Sequence, residues 1–238
     1  MKLQQLLSYA RRAVDDYQMI QNGDKIAVGI SGGKDSLALL YALQGLRRFY
    51  PNKFELFAIT VDLGFPEFDL SEISKLCKEL EVPYHIVPTQ IGEIVFDVRR
   101  ESNPCSLCAK MRKGAFNTKA RELGCNKIAY AHHKDDVVET MLLSLIYEGR
   151  IHTFSPVTYL DQMQVTLIRP LIYVNESDIV GFQNLYRLPV RKNPCPADGK
   201  TKREFSSRLL SQLIRETPDA KEHIFSAIRK YPLKNWEK

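Results

Sequence analysis

Long apolar runs are missing from this chain of 238 residues, and none approaches the roughly 20 residues that a membrane-spanning helix requires. Residues 1–20 carry charges inside their apolar stretch and contain no cleavage site of small residues, so they indicate an amphipathic helix and not a signal peptide. Internal repeats and low-complexity linkers are also missing. We therefore expect a globular protein of the cytoplasm that has no membrane partner.

Cysteine is scarce, with five in the chain, which argues against a disulfide framework and favours metal or redox chemistry. Cys105 and Cys108 form a CxxC pair just before a basic stretch, and prolines frame a third thiol, Cys195. Three thiolates leave a zinc site one ligand short, whereas on a [4Fe–4S] cluster they leave one iron without a protein ligand. We interpret Cys77 and Cys125 as buried small hydrophobic residues.

Apolar runs of strand length alternate with helical periods along the first 150 residues. We predict strands over 25–30, 54–62, 84–89 and 127–133. Helices are predicted over 35–49, 69–81, 109–123 and 135–147. Strands that alternate with helices indicate an α/β fold, with a parallel sheet that has helices on both faces.

The alternation loosens beyond residue 150. Residues 157–171 favour a hairpin or an edge pair, and Asn175 is a typical cap for the helical period that follows it. We divide the chain into an N-terminal helix (1–22), an α/β domain (23–190) and a basic helical C-terminal region (191–238) that carries the third thiol.

Positive charge is in excess, with a formal net charge of +6, and much of it lies at 110–121 and in the C-terminal tail. Clustered lysines and arginines suit a polyanion such as RNA. The same residues are equally consistent with solvated helix faces, so composition leaves both interpretations open.

The segment SGGKDS, residues 31–36, joins a predicted strand to a predicted helix through two glycines. Such a turn presents backbone N–H groups, hydroxyls and the positive end of a helix at one point, which is typical of a phosphate site. Gly32 and Gly33 let the backbone approach an anion, Lys34 adds a positive charge, and Ser31 and Ser36 offer hydroxyls.

This turn is not a Walker P-loop, whose pattern is G-x-x-x-x-G-K-[ST]. Gly29 and Gly33 are one residue too close, and Lys34 is followed by Asp35. SGGKDS instead resembles the PP-loop of the ATP pyrophosphatases, which cleave between the α- and β-phosphates.

Polar residues follow three of the predicted strands: Ser31, Asp62 and the pair His132 and His133. Ligands of parallel sheets bind beyond the carboxyl ends of the strands, so these side chains are expected to line one crevice. Mg²⁺ bridging the phosphates would have either Asp35 or Asp136 nearby.

Three motifs occur together in this order: SGGKDS, the CSLC pair, and AHHKDDVVET at 131–140. With Arg169-Pro170-Leu171 and the later Pro194-Cys195, they resemble the tRNA 2-thiocytidine synthetase (TtcA) family of PP-loop enzymes over about residues 1–200. The resemblance implies an adenine-nucleotide α-hydrolase-like fold, binding of ATP and Mg²⁺, and sulfur transfer to cytidine 32 of the tRNA anticodon loop. It also implies a cysteine desulfurase as sulfur donor, and thiolases of this type are often homodimers.

The resemblance also implies the functional residues. A [4Fe–4S] cluster would be held by Cys105, Cys108 and Cys195, and these thiols with Lys34 and Asp35 form the expected catalytic set. The expected nucleotide site consists of Ser31, Gly32, Gly33, Lys34, Asp35, Ser36, Asp62, His132, His133 and Asp136. Typical members carry a second CxxC where this chain has Cys195-Pro196-Ala197-Asp198.

Two other functions remain open at this point. One is another PP-loop modification of tRNA, either 2-thiouridine or lysidine synthesis. The other is a zinc-stabilised RNA-binding module that is not an enzyme, in which His152 or His223 would complete a Cys₃His site.

Overall fold

A computed structural model describes residues 1–66, 68–99, 104–191, 194–195 and 202–231. Six strands lie in these ranges: β1 (Asp24–Gly29), β2 (Phe54–Asp62), β3 (Tyr84–Pro88), β4 (Lys127–Ala129), β5 (Val157–Leu160) and β6 (Val165–Ile168). They form one sheet in the order β3-β2-β1-β4-β6-β5. All neighbouring pairs are parallel except β5 and β6, which form the predicted antiparallel hairpin at the edge.

The helices of the described ranges are α1 (Leu3–Asp16), α2 (Lys34–Phe49), α3 (Ser71–Glu79), α4 (Ile91–Glu93, continued by a π-helical turn Ile94–Val98), α5 (Pro104–Glu122), α6 (Lys134–Glu148), α7 (Glu176–Tyr186), α8 (Lys202–Glu216) and α9 (Ala220–Lys230). They cover both faces of the sheet, as predicted. In β1, Ile26 and Val28 face the larger core, whereas Ala27 faces a second core that includes Phe116 of α5. A strand buried on both faces explains why β1 reads as a continuous apolar run.

The strand order reverses between β1 and β4. From β1 the chain adds β2 and then β3 on one side, and it returns to place β4 and β6 on the other. Ligands of such sheets bind at the point of reversal, beyond the carboxyl ends of the strands. The loop at residues 31–36 lies at this point.

Two predicted boundaries are wrong. Helix α5 begins at Pro104 and not near residue 109, because proline is favoured in the first turn of a helix and the CSLC residues continue it. The CxxC pair therefore lies on the helix and not before it. Strand β4 ends at Ala129 and not at residue 133, since its partner β6 ends at Ile168, directly opposite. His132 and His133 consequently lie in the loop that leads to α6.

The C-terminal helices α8 and α9 pack against α6, and Leu210, Phe225 and Ile228 join the main core. Ion pairs connect α9 to the first turn of α6, with Lys134 Nζ 2.7 Å from Glu222 Oε1 and Lys221 Nζ 2.8 Å from Asp135 Oδ1. Across the described ranges, none of the helices combines the length and the apolar character needed to span a bilayer.

Candidate active site

A cavity of about 670 Å³ lies beyond the carboxyl ends of β1, β2 and β4. Its walls come from the loop at residues 31–36, from the strand ends, from the exposed side of α5 and from the segment before Cys195. The polar residues of its lining are Ser31, Asp35, Ser36, Thr60, Arg112, Lys113, Tyr130, His132, Asp136 and Arg191. Such a volume is in the range of small-molecule sites.

Hydroxyl groups fix the loop at residues 31–36. The Ser36 hydroxyl donates to the Gly33 carbonyl at 2.8 Å, and the Ser31 N–H donates to Ser36 Oγ at 3.2 Å. The Gly33 N–H donates to Ser31 Oγ at 3.3 Å. Gly32 has φ +85°, a left-handed conformation that residues with a Cβ rarely adopt. The loop is therefore shaped by its own side chains, with its hydroxyls at the cavity wall.

Lys34 does not line the cavity, although it follows the two glycines. Its Nζ lies 2.9 Å from Glu176 Oε1 on α7 and 3.2 Å from Asp35 Oδ2. Burial opposes the charge, but the hydrogen bond to Glu176 and the charge of Asp35 prevail and raise the pKa of Lys34. The lysine is thus held beside the loop by two carboxylates and would have to move toward the cavity to contact a phosphate there.

Two carboxylates face the cavity next to the loop, Asp35 on α2 and Asp136 on α6. His133 Nε2 lies between them, 3.8 Å from Asp35 Oδ1 and 3.4 Å from Asp136 Oδ2. Asp35 Oδ1 is buried without a hydrogen-bond partner. Mg²⁺ in phosphate sites is typically held by one or two carboxylates together with substrate oxygens, so this pair suits a magnesium–nucleotide complex.

Asp62 is not among the residues that line this cavity. Its carboxylate accepts a hydrogen bond from the Gly64 N–H at 2.9 Å, and its carbonyl oxygen accepts from Thr89 Oγ1 at 2.7 Å. It closes the turn after β2, while its neighbours Val61 and Leu63 contribute apolar surface to the wall. The structure thus brings Ser31, His132 and Asp136 together but gives Asp62 a local role.

Arg191 is a cavity residue that sequence reasoning missed. Its backbone N–H donates to the Gly32 carbonyl at 2.9 Å, and its guanidinium lies 3.8 Å from Asp69 Oδ2. The contact joins the segment before Cys195 to the glycine loop. The sequence pattern does not indicate this role for Arg191, because its hydrogen-bond partner Gly32 lies 159 residues earlier in the chain (191 minus 32).

Three thiols lie beside residues that line the same cavity. Cys105 is exposed on α5, Cys108 and Cys195 are half-buried, and their neighbours Ala109, Arg112 and Pro194 line the wall. Burial raises the pKa of the Cys108 thiol, Arg112 lowers it, and the nearby Cys195 and Cys105 raise it further. The charges of Cys105 and Cys195 thus act on Cys108, although Cys195 comes from a distant segment of the chain.

The two remaining thiols are buried, as predicted. Burial raises the pKa of Cys77 to about 12 and that of Cys125 to about 11. Both are therefore poor nucleophiles and poor metal ligands at neutral pH.

The PP-loop domain family matches residues 4–214 of the chain. The tRNA-cytidine(32) 2-sulfurtransferase of Geobacter sulfurreducens is 41% identical over 220 residues, which cover 91% of this chain and 86% of that protein. Its counterpart in Geobacter metallireducens is 40% identical with the same coverage. The chain belongs to the tRNA-cytidine(32) 2-sulfurtransferase family of PP-loop proteins.

This member of the sulfurtransferase family is also similar in structure to a tRNA thiolase. The U34-tRNA thiolase NcsA from Methanococcus maripaludis, solved with its [4Fe–4S] cluster, has a TM-score of 0.75 and 26% identity. The match covers 94% of this chain and 77% of the thiolase. An NH₃-dependent NAD synthetase from Campylobacter jejuni shares the fold at 17% identity, with a TM-score of 0.51.

Proposed function

We propose that this protein uses ATP to activate cytidine 32 of a tRNA and replaces the C2 oxygen of that base with sulfur. The observation that carries the proposal is one cavity, whose lining includes a phosphate loop, a carboxylate pair, and the residues Ala109 and Pro194 beside the thiols Cys108 and Cys195. Membership of the sulfurtransferase family supports the same substrate. We place the reaction in the cytoplasm.

The chemistry requires two steps, because the C2 oxygen of cytosine is a poor leaving group. That oxygen first attacks the α-phosphorus of ATP, and the bond to the β-phosphate breaks, so that pyrophosphate leaves with the electron pair. A sulfur nucleophile at the oxidation level of sulfide then attacks C2. The bond from C2 to oxygen breaks, and AMP leaves with that oxygen, without net redox change.

The chain's own residues supply the first step. Ser31, Ser36 and Gly33 line the cavity and would contact the phosphates once their hydrogen bonds to one another rearrange, and Asp35 with Asp136 would hold Mg²⁺ against the phosphates. Donors of this kind that act on developing charge are each worth roughly 3–4 kcal/mol in the transition state. Lys34 would exchange its contact with Glu176 for a phosphate oxygen.

The thiols fit a [4Fe–4S] cluster. Among the described residues, no three His, Cys, Asp or Glu side chains meet as closely as a single metal ion requires, and neither His152 nor His223 completes a zinc site. Three thiolates leave a zinc site one ligand short, whereas on a [4Fe–4S] cluster they leave one iron without a protein ligand. Cys105, Cys108 and Cys195 would hold the cluster. When bound, the cluster would supply one iron that has no protein ligand, and a sulfur atom could bind to that iron.

The substrate reaches the site along α5. Lys110, Arg112 and Lys113 are exposed on this helix, and the last two also line the cavity. A basic helix at the cavity edge suits the phosphates beside a target base, and a base in a loop leaves its stack more easily than one in a duplex. We further propose a cysteine desulfurase as the sulfur donor and a homodimer as the assembly.

Thiolation of uridine is the second candidate, since the solved structure named above is a U34-tRNA thiolase. Mass spectrometry of tRNA nucleosides from cells without the protein separates the two, because loss of 2-thiocytidine supports the first candidate and loss of 2-thiouridine supports the second.

The experiment that tests the proposed function is a single-turnover assay of Cys195→Ala, prepared anaerobically, with tRNA and ATP. Pyrophosphate should be released as in the wild type, whereas 2-thiocytidine should not form, and bound iron and sulfide should fall. Cys125→Ala is the matched control, since it removes a buried thiol that does not line the cavity. This variant should retain pyrophosphate release, 2-thiocytidine formation and bound iron and sulfide. Full thiolation by Cys195→Ala would refute the role of the third thiol.

A further inference from the structure

Arg169 and His132 belong to two different motifs of the chain, and they form a pair whose geometry has a chemical consequence. We propose that His132 donates a hydrogen bond from Nε2 to an anionic oxygen of the substrate in the cavity, and that Arg169 positions it by fixing its tautomer. This inference rests on the proposed function, because the anionic oxygens are those of the ATP α-phosphoryl group. Arg169 is a positioning residue and does not itself line the cavity.

Arg169 follows β6 and is buried, with 6% of its surface exposed. Its Nε donates to His132 Nδ1 at 3.0 Å, and Nη1 donates to Thr158 Oγ1 at 3.2 Å and to the carbonyl of Ser155. No carboxylate within the described ranges forms an ion pair with it. Burial lowers the pKa of Arg169 to about 10, so the guanidinium stays charged at neutral pH. Burying an arginine without an anionic partner has an unfavourable desolvation free energy.

Stacking on an aromatic ring offsets part of that desolvation free energy. The guanidinium carbon lies 4.7 Å from the centre of the Phe154 ring, and the same ring lies 4.6 Å from the imidazole of His132. Stacking over an aromatic face stabilises a cation that is shielded from water. The three side chains thus form one packed unit, in which the Nε–H of the arginine points at a single imidazole nitrogen.

The direction of this hydrogen bond determines the tautomer of His132. A guanidinium can only donate, so Nδ1 must carry a lone pair and the ring proton must lie on Nε2. His132 lines the cavity together with Ser31 and Asp136. A neutral ring held in this form is a hydrogen-bond donor and cannot act as a base through Nδ1.

The neighbouring histidine has opposite surroundings. His133 is buried among three carboxylates, with Asp35, Asp135 and Asp136 at 3.8, 3.7 and 3.4 Å. One imidazole therefore faces a cation while the next faces anions. The sequence motif alone does not distinguish the two, whereas the structure assigns them different roles.

The first test is spectroscopic and begins with the wild-type protein. The full chain is labelled with ¹⁵N-histidine, and long-range ¹H–¹⁵N spectra identify which nitrogen of each imidazole carries hydrogen. His132 should show a protonated Nε2 and an unprotonated Nδ1 at neutral pH. In Arg169→Lys, which keeps the charge but loses the Nε donor, this single-tautomer pattern should be lost. An imidazolium or an Nδ1–H form of His132 in the wild type would overturn the inference.

The second test compares two amides in place of the imidazole. The amide nitrogen of glutamine reaches the position of Nε2, whereas that of asparagine reaches only the position of Nδ1. His132→Asn should lower kcat for pyrophosphate release about a hundredfold, as loss of a transition-state donor does, with a much smaller change in KM for ATP. His132→Gln should recover most of that loss. Equal defects in both variants would contradict the assignment.

The control is Arg150→Lys, which changes an exposed arginine paired with Glu148 and should leave the kinetics and the His132 spectrum unchanged. Failure of the inference is distinguishable from failure of the proposed function. If the protein does not activate cytidine, the wild type itself releases no pyrophosphate with tRNA. If only the inference fails, the wild type is active and His132→Asn retains its kcat.

Discussion

The two ends of the cavity are built in different ways. The loop end is fixed by contacts among neighbours in sequence, such as the Ser36 hydroxyl on the Gly33 carbonyl at 2.8 Å. The thiol end is assembled from α5 and from a segment some 90 residues later, and its first cysteine is exposed. The loop end therefore keeps its shape through local hydrogen bonds, whereas the thiol end combines segments that are distant in sequence.

Because of this difference, substitutions at the two ends of the cavity should have different effects on activity. Substitutions at the loop end should impair nucleotide chemistry while the fold persists, because the core beneath β1 is independent of the loop side chains. Substitutions at the thiol end should impair sulfur transfer and leave nucleotide activation intact. Both expectations can be tested.

Thiol reactivity should give the largest contrast. In the metal-free protein at neutral pH, Cys105 should be alkylated first, while Cys77 and Cys125 react only on unfolding. Their pKa values of about 12 and 11 leave roughly a thousandfold and a hundredfold less thiolate than the ordinary value of 9.0 would. Mass spectrometry of alkylated peptides over time measures the rates.

Reconstitution with iron and sulfide sharpens the same experiment. Cys105, Cys108 and Cys195 should all become protected, while the two buried thiols keep their slow rates. Unchanged alkylation of Cys105 after reconstitution would mean that it is not a ligand.

Removal of the loop lysine should give the next largest effect. Lys34→Ala should lower the rate of pyrophosphate release about a hundredfold or more, because a cation near the leaving phosphates is lost. Glu176→Gln is the matched variant, since it breaks the ion pair of 2.9 Å but retains the lysine. If Glu176→Gln were as defective as Lys34→Ala in a tRNA-dependent pyrophosphate assay, the ion pair and not the phosphate contact would be what matters.

The loop end was the part of the site that the sequence could predict. A strand, two glycines and a helix dictate a phosphate site within six residues, and the hairpin and most strands followed from periodicity. These features depend on interactions between residues that are close in sequence, so short sequence segments are enough to predict them.

Other features depend on residues that are far apart in sequence. The pairing of Lys34 with Glu176 spans 142 residues, and Arg169 reaches His132 across 37. The start of α5 was misplaced because cysteine and serine are weak helix formers, and tertiary contacts of Leu107, Cys108 and Met111 with the Val95 cluster compensate for this. Asp62 was assigned to the crevice from its position at a strand end, but a turn takes its carboxylate.

The ion pair between Lys221 of α9 and Asp135 of α6 should affect the stability of the fold and not the chemistry of the site. Burial alone would raise the pKa of Asp135, but hydrogen bonds from Lys221 and the Glu176 N–H prevail and lower it below 3.8. A depressed carboxyl pKa stabilises the fold at pH values above the unfolded pKa, and this contribution is lost as pH falls through the folded pKa. Asp135→Asn should therefore lower the free energy of unfolding by about 3 kcal/mol at pH 7, with the difference closing in acid.

Urea unfolding across a pH series measures that change. Glu148→Gln, which removes an exposed ion pair, should shift stability by less than about 0.5 kcal/mol at any pH. A pH-independent deficit in Asp135→Asn would show that packing and not charge accounts for the loss.

Backbone strain at the glycine loop should give the smallest effect. In Gly32→Ala the new Cβ would lie 3.4 Å from Arg191 Cβ, which is an ordinary contact, so the left-handed φ of +85° is the main penalty, about 1–2 kcal/mol. Affinity for ATP should fall about tenfold by calorimetry, because the strain distorts the phosphate cradle. Gly124→Ala carries a similar strain, at φ +70° in open space, but lies away from the cavity. It should lose comparable stability and keep its ATP affinity, and equal losses of affinity in both variants would mean that the loop conformation is not what binds the nucleotide.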